Sequence, residues 1–416
     1  MGITNLLSTT TRVEAPFIMV KIGKYTFGAY QKSSSKVSRW VTKSSVNFPN
    51  FMEDLSVVKV NGTVNTYTIK MVYTIRDGDD PNLLEKVFSS VSGTRRIYIS
   101  YGDYNSPTFI YKEEAAIITN VVSNIDMKAS SITYTLNCTS EALSLTAGAW
   151  NFAARYAKPS DVIKELLYNP KYGILDVFYG MRDKEQVLLK GLIASDDRRV
   201  RIEAKTNIQI FDYLNYLVSC MSTISDPAFS IIKKNRYVLC VYDDINGLLG
   251  GPYFKVTKVA KNIQVNNSLE LYEIDVGYPG TNVVTNFSID NNETWAILYD
   301  YSKKVDQADY TYRIDNKGQV ESMYSPMLSN SKELMKTTEA DKTWWTQVTQ
   351  YPIKATLTIK GLLRPAILMS YVKVNVYFYG KKHIASGVYI ITRQQDNVNK
   401  NGYSTTLTLT RVQEDS

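Results

Sequence analysis

Two stretches near opposite ends of the chain alternate apolar and polar residues position by position. In residues 67–75 the odd positions are Tyr, Ile, Met, Tyr and Ile, and Thr and Lys fill most of the even ones. In residues 353–359 the odd positions are Ile, Ala, Leu and Ile, separated by Lys and Thr. Because neighbouring side chains of a strand point to opposite faces, each stretch predicts a strand with one buried face. The chain is therefore expected to be mainly β.

The same order of patterns follows both stretches. After the first come a helical segment and three strands, at 96–101, 116–122 and 131–139. After the second come a connection and three strands, at 372–379, 387–392 and 404–411. The sequences ITYTL at 132–136 and TTLTL at 405–409 are near-equivalent. This predicts one barrel-like β unit used twice, although two unrelated antiparallel domains could share so general a pattern.

A duplicated unit has a consequence for symmetry. Three copies of a chain with two units would place six similar units in a pseudo-sixfold ring. Such a ring is a natural adaptor between a hexameric ring and a trimeric partner, because both symmetries are closed about one axis.

Helices are predicted in the first β region and in the middle of the chain. Asp80 and Pro81 precede apolar residues spaced i, i+3, i+4 as far as Val91, which predicts a short amphipathic helix. In the middle of the chain, Pro159 opens a second helix that is expected to end near Asn169-Pro170.

A third helix is predicted to begin at Thr206, where Gln209 three residues later completes a capping box. Its apolar face would comprise Ile210, Phe211, Leu214, Leu217, Val218 and Met221. We expect a strand to follow at 237–242 and then a glycine-rich turn at 243–251.

These patterns predict a mainly β fold with minor α, in which two tube-type antiparallel β-barrel domains flank a small α+β domain. Residues 1–156 would form the first barrel domain, 157–252 the α+β domain and 253–416 the second barrel domain. Within the last, a polar excursion at about 280–343 is expected to be partly loop.

Cysteine and charge restrict the class of protein. Cys138, Cys220 and Cys240 are an odd, separated set, so we expect three small buried apolar residues and a reducing compartment rather than a disulfide framework. The net charge of +8 is dispersed, and the basic run at 198–201 is interpreted as a solvated mixed-charge loop. No segment approaches the roughly 18 apolar residues of a spanning helix.

Three C-terminal segments resemble segments of one known protein family. The segments are TLTIKGLLRP at 356–365, VYIIT at 388–392 and GYSTTLTLTR at 402–411. They resemble the strand-turn segment and the closing hairpin of the central baseplate hub proteins of contractile tailed phages and related injection systems. The middle segments SDVI at 160–163 and TNIQ at 206–209 are similar to that family as well. The clear resemblance covers about residues 343–412.

The resemblance implies a structural protein of the virion tail baseplate, assembled in the host bacterial cytoplasm. It implies a homotrimeric ring that joins the hexameric tail tube protein to a trimeric central spike protein. Other baseplate proteins are implied partners, with the tape measure protein as a further candidate. Some members of the family carry a fused spike or lytic domain, and neither is expected here because the chain ends at Ser416 soon after its last strand.

The residues themselves favour no enzyme. His383 is the single histidine, and it is expected to be a polar loop residue in the sequence GKKH. No nucleophile elbow, phosphate-binding loop or zinc-protease helix occurs in the sequence. We therefore assign no catalytic, cofactor-binding or metal-binding residue and expect no cofactor.

Two other functions remain open on the sequence. A tail-associated peptidoglycan-degrading enzyme would need a glycosidase-type carboxylate pair brought together by folding. The adjacent acids Asp79-Asp80, Asp196-Asp197 and Asp243-Asp244 are instead expected at turns or helix starts. A basic nucleic-acid-binding β protein could use the interleaved Tyr and Lys of residues 371–382, but an ordinary sheet face fits them better and no specific nucleic acid is expected.

Partner contacts are expected at two places. One is the exposed helix at 81–91, and the other is the excursion around Trp295 and Trp344-Trp345. These aromatic side chains could equally belong to the core.

Overall fold

The structure is a computed structural model. It describes residues 11–12, 16–28, 46–48, 51–88, 96–103, 111–174, 183–221, 236–243, 253–259, 270–277, 284–291, 310–314, 320–324, 353–360, 362–363, 368–399 and 402–414. Over these residues there are 25 strands and five α-helices, which confirms the prediction of a mainly β fold with minor α.

The elements fall into three successive groups along the chain. The first group is β1 (Thr11–Arg12), β2 (Pro16–Ile22), β3 (Tyr25–Gly28), β4 (Val46–Phe48), β5 (Met52–Val60), β6 (Thr66–Thr74), α1 (Leu83–Phe88), β7 (Arg96–Asp103), β8 (Tyr111–Asp126) and β9 (Ser131–Ser140). The second is α2 (Glu141–Leu145), β10 (Ala149–Phe152), β11 (Arg155–Ala157), α3 (Pro159–Tyr168), a 3-10 turn (Pro170–Tyr172), α4 (Asp183–Gly191), β12 (Val200–Ile202), β13 (Lys205–Gln209), α5 (Ile210–Met221), β14 (Arg236–Tyr242) and β15 (Tyr253–Val259). The third is β16 (Glu270–Asp275), β17 (Val284–Asn291), β18 (Tyr310–Ile314), β19 (Val320–Tyr324), β20 (Ile353–Lys360), β21 (Leu362–Leu363), β22 (Tyr371–Phe378), β23 (Lys381–Lys382), β24 (Gly387–Asn399) and β25 (Gly402–Glu414).

One large sheet contains both groups of strands that the sequence pairs as a repeat. Its main path runs β17-β20-β25-β24-β5-β6-β9-β8-β7-β2-β3-β4, and β22 pairs with β24 and with β16. The first unit therefore reads β5-β6-β9-β8-β7-β2, and the second reads β17-β20-β25-β24-β22-β16. The two orders are the same, strand for strand. They differ at the last step, since β2 is antiparallel to β7 whereas β16 is parallel to β22.

Two pairs of β-bulges fix the alignment of the units. The β5–β6 ladder shifts between Met52 and Asp54, and the β17–β20 ladder shifts between Val284 and Asn286. The β8–β9 ladder shifts around Thr119, and the β24–β25 ladder shifts around Thr392. Because a bulge is a local insertion with its own hydrogen bonds, its recurrence at one place in both units is a specific structural match.

The two bulged threonines make the same hydrogen bond. The Thr119 hydroxyl donates to the carbonyl of Asn137 over 2.9 Å, and the Thr392 hydroxyl donates to the carbonyl of Thr408 over 3.1 Å. This match aligns Leu136 with Leu407. The alignment expected from the sequence, 132–136 with 405–409, is therefore wrong by two residues. A shift of two keeps every side chain on its face, so alternation alone could not detect it.

Three helices were predicted: α3 begins where expected, α1 and α5 begin later than expected, and α2 and α4 were not predicted. Helix α3 spans Pro159–Tyr168, as predicted, and the predicted apolar face of α5 is buried throughout. The capping box at Thr206 is wrong, because Lys205–Gln209 is strand β13 and pairs with β10. The Asn207 amide donates to the Asn151 side chain over 2.8 Å, and the Ile210 amide donates to the Gly148 carbonyl over 3.2 Å. Tertiary partners thus replace the local cap.

Three apolar clusters lie behind these elements. One fills the first unit, one fills the second, and one lies among α3, α5 and their neighbouring strands. Strand β14 divides its alternate side chains between two clusters: Val238 and Cys240 face the second unit, and Leu239 and Val241 face the helices.

Two further expectations are modified. Residues 253–259, assigned from the sequence to the second β domain, pair with β14 and place Phe254 in the helical cluster. The polar excursion at 280–343 contains β17, which forms the end strand of the large sheet, and the hairpin β18–β19. Trp295 and Trp344-Trp345 lie outside the described residues. Closure of the units into barrels and the domain limits stay predictions.

Candidate functional site: a buried charged cluster where the two β units meet

Strand β24 belongs to both units. Its first half, from Gly387 to Ile390, pairs with β22 of the second unit. Its second half, from Arg393 to Asn399, pairs antiparallel with β5 of the first unit, with Arg393 opposite Val60 and Asn399 opposite Asp54. Continuous backbone hydrogen bonding therefore joins the two units into one sheet.

The second half of β24 buries a carboxylate at this junction. Asp396 has no exposed surface, and one carboxylate oxygen accepts hydrogen bonds from the hydroxyls of Thr405 (2.6 Å) and Tyr403 (3.1 Å). The other oxygen accepts from the side-chain amide of Gln394 over 2.5 Å. Burial raises the pKa of Asp396, and these three donors and the Lys59 charge work against that rise.

Lys59 of β5 is the cation of the junction. It forms a salt bridge with Glu114 of β8, whose side chain is 2% exposed. Burial alone would lower the pKa of Lys59, but the Glu114 carboxylate, helped by Asp396 and Asp243, outweighs burial and raises this pKa. The ammonium also lies 6.0 Å from the centre of the Tyr101 ring. Lys59 is thus held as a charged group inside the protein.

A third carboxylate connects the helical part of the chain to the first unit. Asp243 follows β14, and its side chain accepts hydrogen bonds from Ser140 (2.5 Å), Asn65 (2.7 Å) and Tyr67 (2.9 Å). Burial raises its pKa to about 6, against the effect of these three donors, and the nearby Glu114 charge adds to the rise. The Asp243 carbonyl also accepts from the Ala115 amide over 3.2 Å.

The cluster therefore gathers Glu114, Asp243 and Asp396 around Lys59. Folding does bring carboxylates together, as a glycosidase would require, but these three are almost fully buried. A glycosidase acid must contact the sugar it protonates, so a glycan cannot use these groups as they lie. Instead, the Lys59–Glu114 pair joins β5 to β8, and Asp243 joins the end of β14 to β6 and β9. The hydrogen bonds of Asp396 lie within the β24–β25 hairpin.

The acids of the other two predicted pairs accept hydrogen bonds, locally at Asp79-Asp80 and from distant residues at Asp196-Asp197. Asp79 accepts from the Arg76 amide over 2.8 Å, and Asp80 accepts from the Asn82 amide over 2.9 Å ahead of α1. Asp197 accepts from both the amide (2.9 Å) and the hydroxyl (2.6 Å) of Ser160 and so caps α3 from a distant loop. Asp79-Asp80 therefore matches the expected turn before a helix, whereas Asp196-Asp197 lies in an irregular loop and bonds to distant residues.

The remaining sequence candidates are dispersed. His383 is exposed in the turn before β24, where its Nδ1 atom accepts from the Ala385 amide over 3.2 Å. Cys138 and Cys240 are buried as predicted, whereas Cys220 is only half-buried. The apolar side of α1 is buried through Leu84, so only the opposite face of this helix can meet a partner.

Two features are absent from the described part of the chain. Across these residues, no group of three His, Cys, Asp or Glu side chains is arranged to hold a metal ion. None of the described helices has the length and apolar character needed to cross a membrane.

Comparison with solved structures identifies the architecture. No protein-family model and no curated protein matches the sequence. The 43 kDa tail protein of prophage MuSo2 from Shewanella oneidensis superposes with a TM-score of 0.50 at 9% identity, over 95% of this chain and 98% of that one. The chain has a phage tail-protein fold. A tail protein from Neisseria meningitidis MC58 is also similar, with a TM-score of 0.47, 9% identity and coverage of 95% and 97%.

Within this tail-protein fold, sequence reasoning missed the charged cluster. Residues 393–397 read RQQDN, which looks like a loop, and the strand was predicted to end at 392. Lys59 and Glu114 likewise look like ordinary surface charges. The available signal is that Gln394, Asp396 and Val398 continue the alternation of β24. The alternation identifies a buried strand only once β5 is known to pair with this part of β24.

Proposed function

We propose that the protein is a non-enzymatic structural subunit of a phage-type tail baseplate hub. In this proposal three copies form a ring with pseudo-sixfold symmetry, which adapts a hexameric tail tube to a trimeric central spike. The observation that carries it is the duplication: β5-β6-β9-β8-β7-β2 and β17-β20-β25-β24-β22-β16 are one strand order used twice.

The way the units meet supports a ring. They lie side by side in one sheet through β24 and β5, so the second unit continues the first through strand pairing. Repeating one side-by-side contact generates a ring when the rotation closes. A chain with two units then needs three copies to present six.

The shared fold supports a place in a tail. The S. oneidensis protein is described as a tail protein and is covered over almost its whole length. The proposed partners are the tail tube protein, the central spike protein and other baseplate proteins, with the virion tail baseplate as the location. Assembly would take place in the host bacterial cytoplasm.

Mass and imaging test the ring. Native mass measurement of the pure chain, alone and mixed with its tube and spike proteins, should give three chains of 47.2 kDa, roughly 142 kDa. Averaged electron micrographs of the trimer should show six similar lobes. A chain that stays monomeric in all mixtures, or a ring whose lobes do not number six, would contradict the proposal.

A peptidoglycan assay tests the non-enzymatic part. Purified protein should release no soluble fragments from peptidoglycan above a buffer control. Turnover that disappears in Asp243→Asn, Glu114→Gln or Asp396→Asn would overturn the structural assignment. Turnover that survives all three substitutions but is lost on repurification would indicate a contaminating hydrolase. Turnover that survives both would also overturn the structural assignment.

A further inference from the structure

The two units differ at one place where the repeat makes them comparable. Beyond its bulge at Thr392, β24 pairs with β25 on one side and with β5 on the other. Beyond the equivalent Thr119, β8 pairs with β9 on one side, and among the described residues no strand lies on the other. We call residues 119–126 of β8 the β8 arm.

A second unpaired edge occurs on the other unit. The bulges align β17 with β5, and β5 lies between β6 and β24. Strand β17 pairs with β20 and then ends the sheet path over the described residues. Each chain therefore offers one half of a junction at the β8 arm and the complementary half at β17.

Exposed apolar side chains mark both halves. In the junction inside the chain, Val398 of β24 is 1% exposed and its opposite residue, Leu55 of β5, is 0% exposed. The bulge alignment makes Ile125 the equivalent of Val398, and Ile125 is 72% exposed. Ile289, the equivalent of the fully buried Val57, is 36% exposed. An unpaired strand edge with exposed apolar residues is a template for pairing with another chain.

We propose that the β8 arm of one copy pairs antiparallel with β17 of the next copy, and that this contact closes the ring. The occupant of each free edge is thus a second copy of this chain. The inference rests on the proposed trimeric ring and specifies the contact that holds it together.

The bulges also give the register. Inside the chain, Val398 lies opposite Leu55, and Asn397 lies opposite Ser56. Carried over through the alignment, Ile125 lies opposite Phe287 of the next copy, and Asn124 lies opposite Ser288. The same register sets Val122 against Asp290 and Asp126 against Asn286. In this register no two residues of like charge lie directly opposite each other. Such a pair would destabilise the sheet.

The charged cluster distinguishes the two kinds of junction. The equivalents of Lys59, Gln394 and Asp396 are Asn291, Val121 and Ser123, so the proposed junction between copies has no buried ion pair. If β24 paired with β17 of another copy instead, Asp396 would be buried without its lysine. An unpaired buried charge is costly, so the cluster selects against this exchange of partners.

Engineered disulfides test the register. Opposite residues of an antiparallel pair have Cα atoms roughly 4.5–5.5 Å apart, which suits a disulfide. Asn124→Cys combined with Ser288→Cys should therefore cross-link copies under mild oxidation. A reducing-agent-free gel should show a ladder that ends at the trimer. The matched control, Asn120→Cys with Ser288→Cys, moves one thiol four residues along an exposed strand, roughly 13 Å, out of reach.

The result is decided by comparing the two pairs. We expect the first pair to cross-link at least tenfold faster than the control, and both single variants not to ladder. A trimer by native mass in which the first pair links no faster than the control overturns the strand pairing and leaves the proposed ring standing. A selective cross-link that yields open ladders without a closed trimer supports the pairing and overturns the ring.

A surface substitution gives an independent readout. Ile125→Lys should shift the native mass from trimer toward monomer while urea unfolding of the monomer stays unchanged. Ile384→Lys is the matched control, because Ile384 is 76% exposed and lies outside both edges. Equal effects of the two substitutions on the trimer would count against the β8 arm.

Discussion

At the scale of residues, the junction depends on charge held away from water. Lys59 and Glu114 pair inside the protein, with Asp396 and Asp243 near enough to raise the pKa of the lysine. A buried pair contributes little net stability compared with apolar residues of the same size, but losing one partner leaves the other charge unpaired. The cluster is therefore expected to control which strands pair more than how strongly the protein folds.

Lys59→Met should destabilise the protein by about 3–5 kcal/mol, because Glu114 would remain buried without a cation. Lys59→Met with Glu114→Gln should recover a large part of this loss, because no unpaired charge remains at that pair. Urea unfolding of the three proteins measures the effect. Lys70→Met is the control: its salt bridge with Glu53 is partly exposed, so it should cost less than about 1 kcal/mol. Equal losses for Lys59→Met and Lys70→Met would contradict the role of the cluster.

Asp243 should make stability depend on pH. Its pKa rises on folding from 3.8 to about 6, so the folded state binds the proton more tightly than the unfolded state. Its contribution to stability is therefore full below about pH 4 and is lost as the pH rises through 6, by roughly 3 kcal/mol. The Asp243→Asn variant has no titratable side chain at this position. The stability of the wild type relative to this variant should fall between about pH 4 and pH 7 in urea unfolding, and a constant difference would contradict the raised pKa.

At the scale of elements, equivalent strands are used in different ways. The end of β24 is buried between two units, whereas one side of the β8 arm has no partner strand among the described residues. Val398 and Ile125 occupy the same position of the repeat, and within the described part of the chain only Val398 has a partner strand on that side. Substitutions at these two positions therefore separate effects on the folding stability of one chain from effects on association between chains.

Val398→Ala should destabilise the isolated chain by about 1–3 kcal/mol, because it removes apolar contacts inside a packed core. Ile125→Ala should change the unfolding free energy of the monomer by less than about 0.5 kcal/mol, because its side chain is already in water. It should nevertheless weaken trimer formation. Urea unfolding and a dilution series of the native mass measure the two effects. A large monomer destabilisation by Ile125→Ala would show that the arm is already packed within the chain.

At the scale of the whole molecule, a duplicated unit solves a symmetry problem. Three identical chains can match a sixfold partner only if each presents two similar surfaces. The shared strand order supplies the similarity, and in the proposed ring the differences between the units would mark direction around the axis. The parallel β16–β22 pairing against the antiparallel β2–β7 pairing is one such difference. The charged cluster, present at the junction inside the chain and replaced by Val, Ser and Asn at the proposed junction between copies, is a second.

Local sequence patterns were enough to predict the β class, the order along the chain of four strands in each unit, helix α3 and the buried face of α5. These features follow from alternation, helical spacing and a proline at a helix start, all of which act within a few residues. The limits of this information are visible at Thr206 and at β17. Thr206 has a local cap pattern but lies in a strand held by β10, and the polar residues of β17 find a place only beside β20.

The register of the repeat and the charged cluster depend on contacts between residues that are distant in the chain. Alternation is unchanged by a shift of two residues, so the alignment needed the bulges at Thr119 and Thr392. Lys59, Glu114 and Asp396 are far apart in the chain, and each looks like a surface charge by itself. They become one cluster because β24 crosses from its own unit to β5, and burial then makes their charges depend on one another.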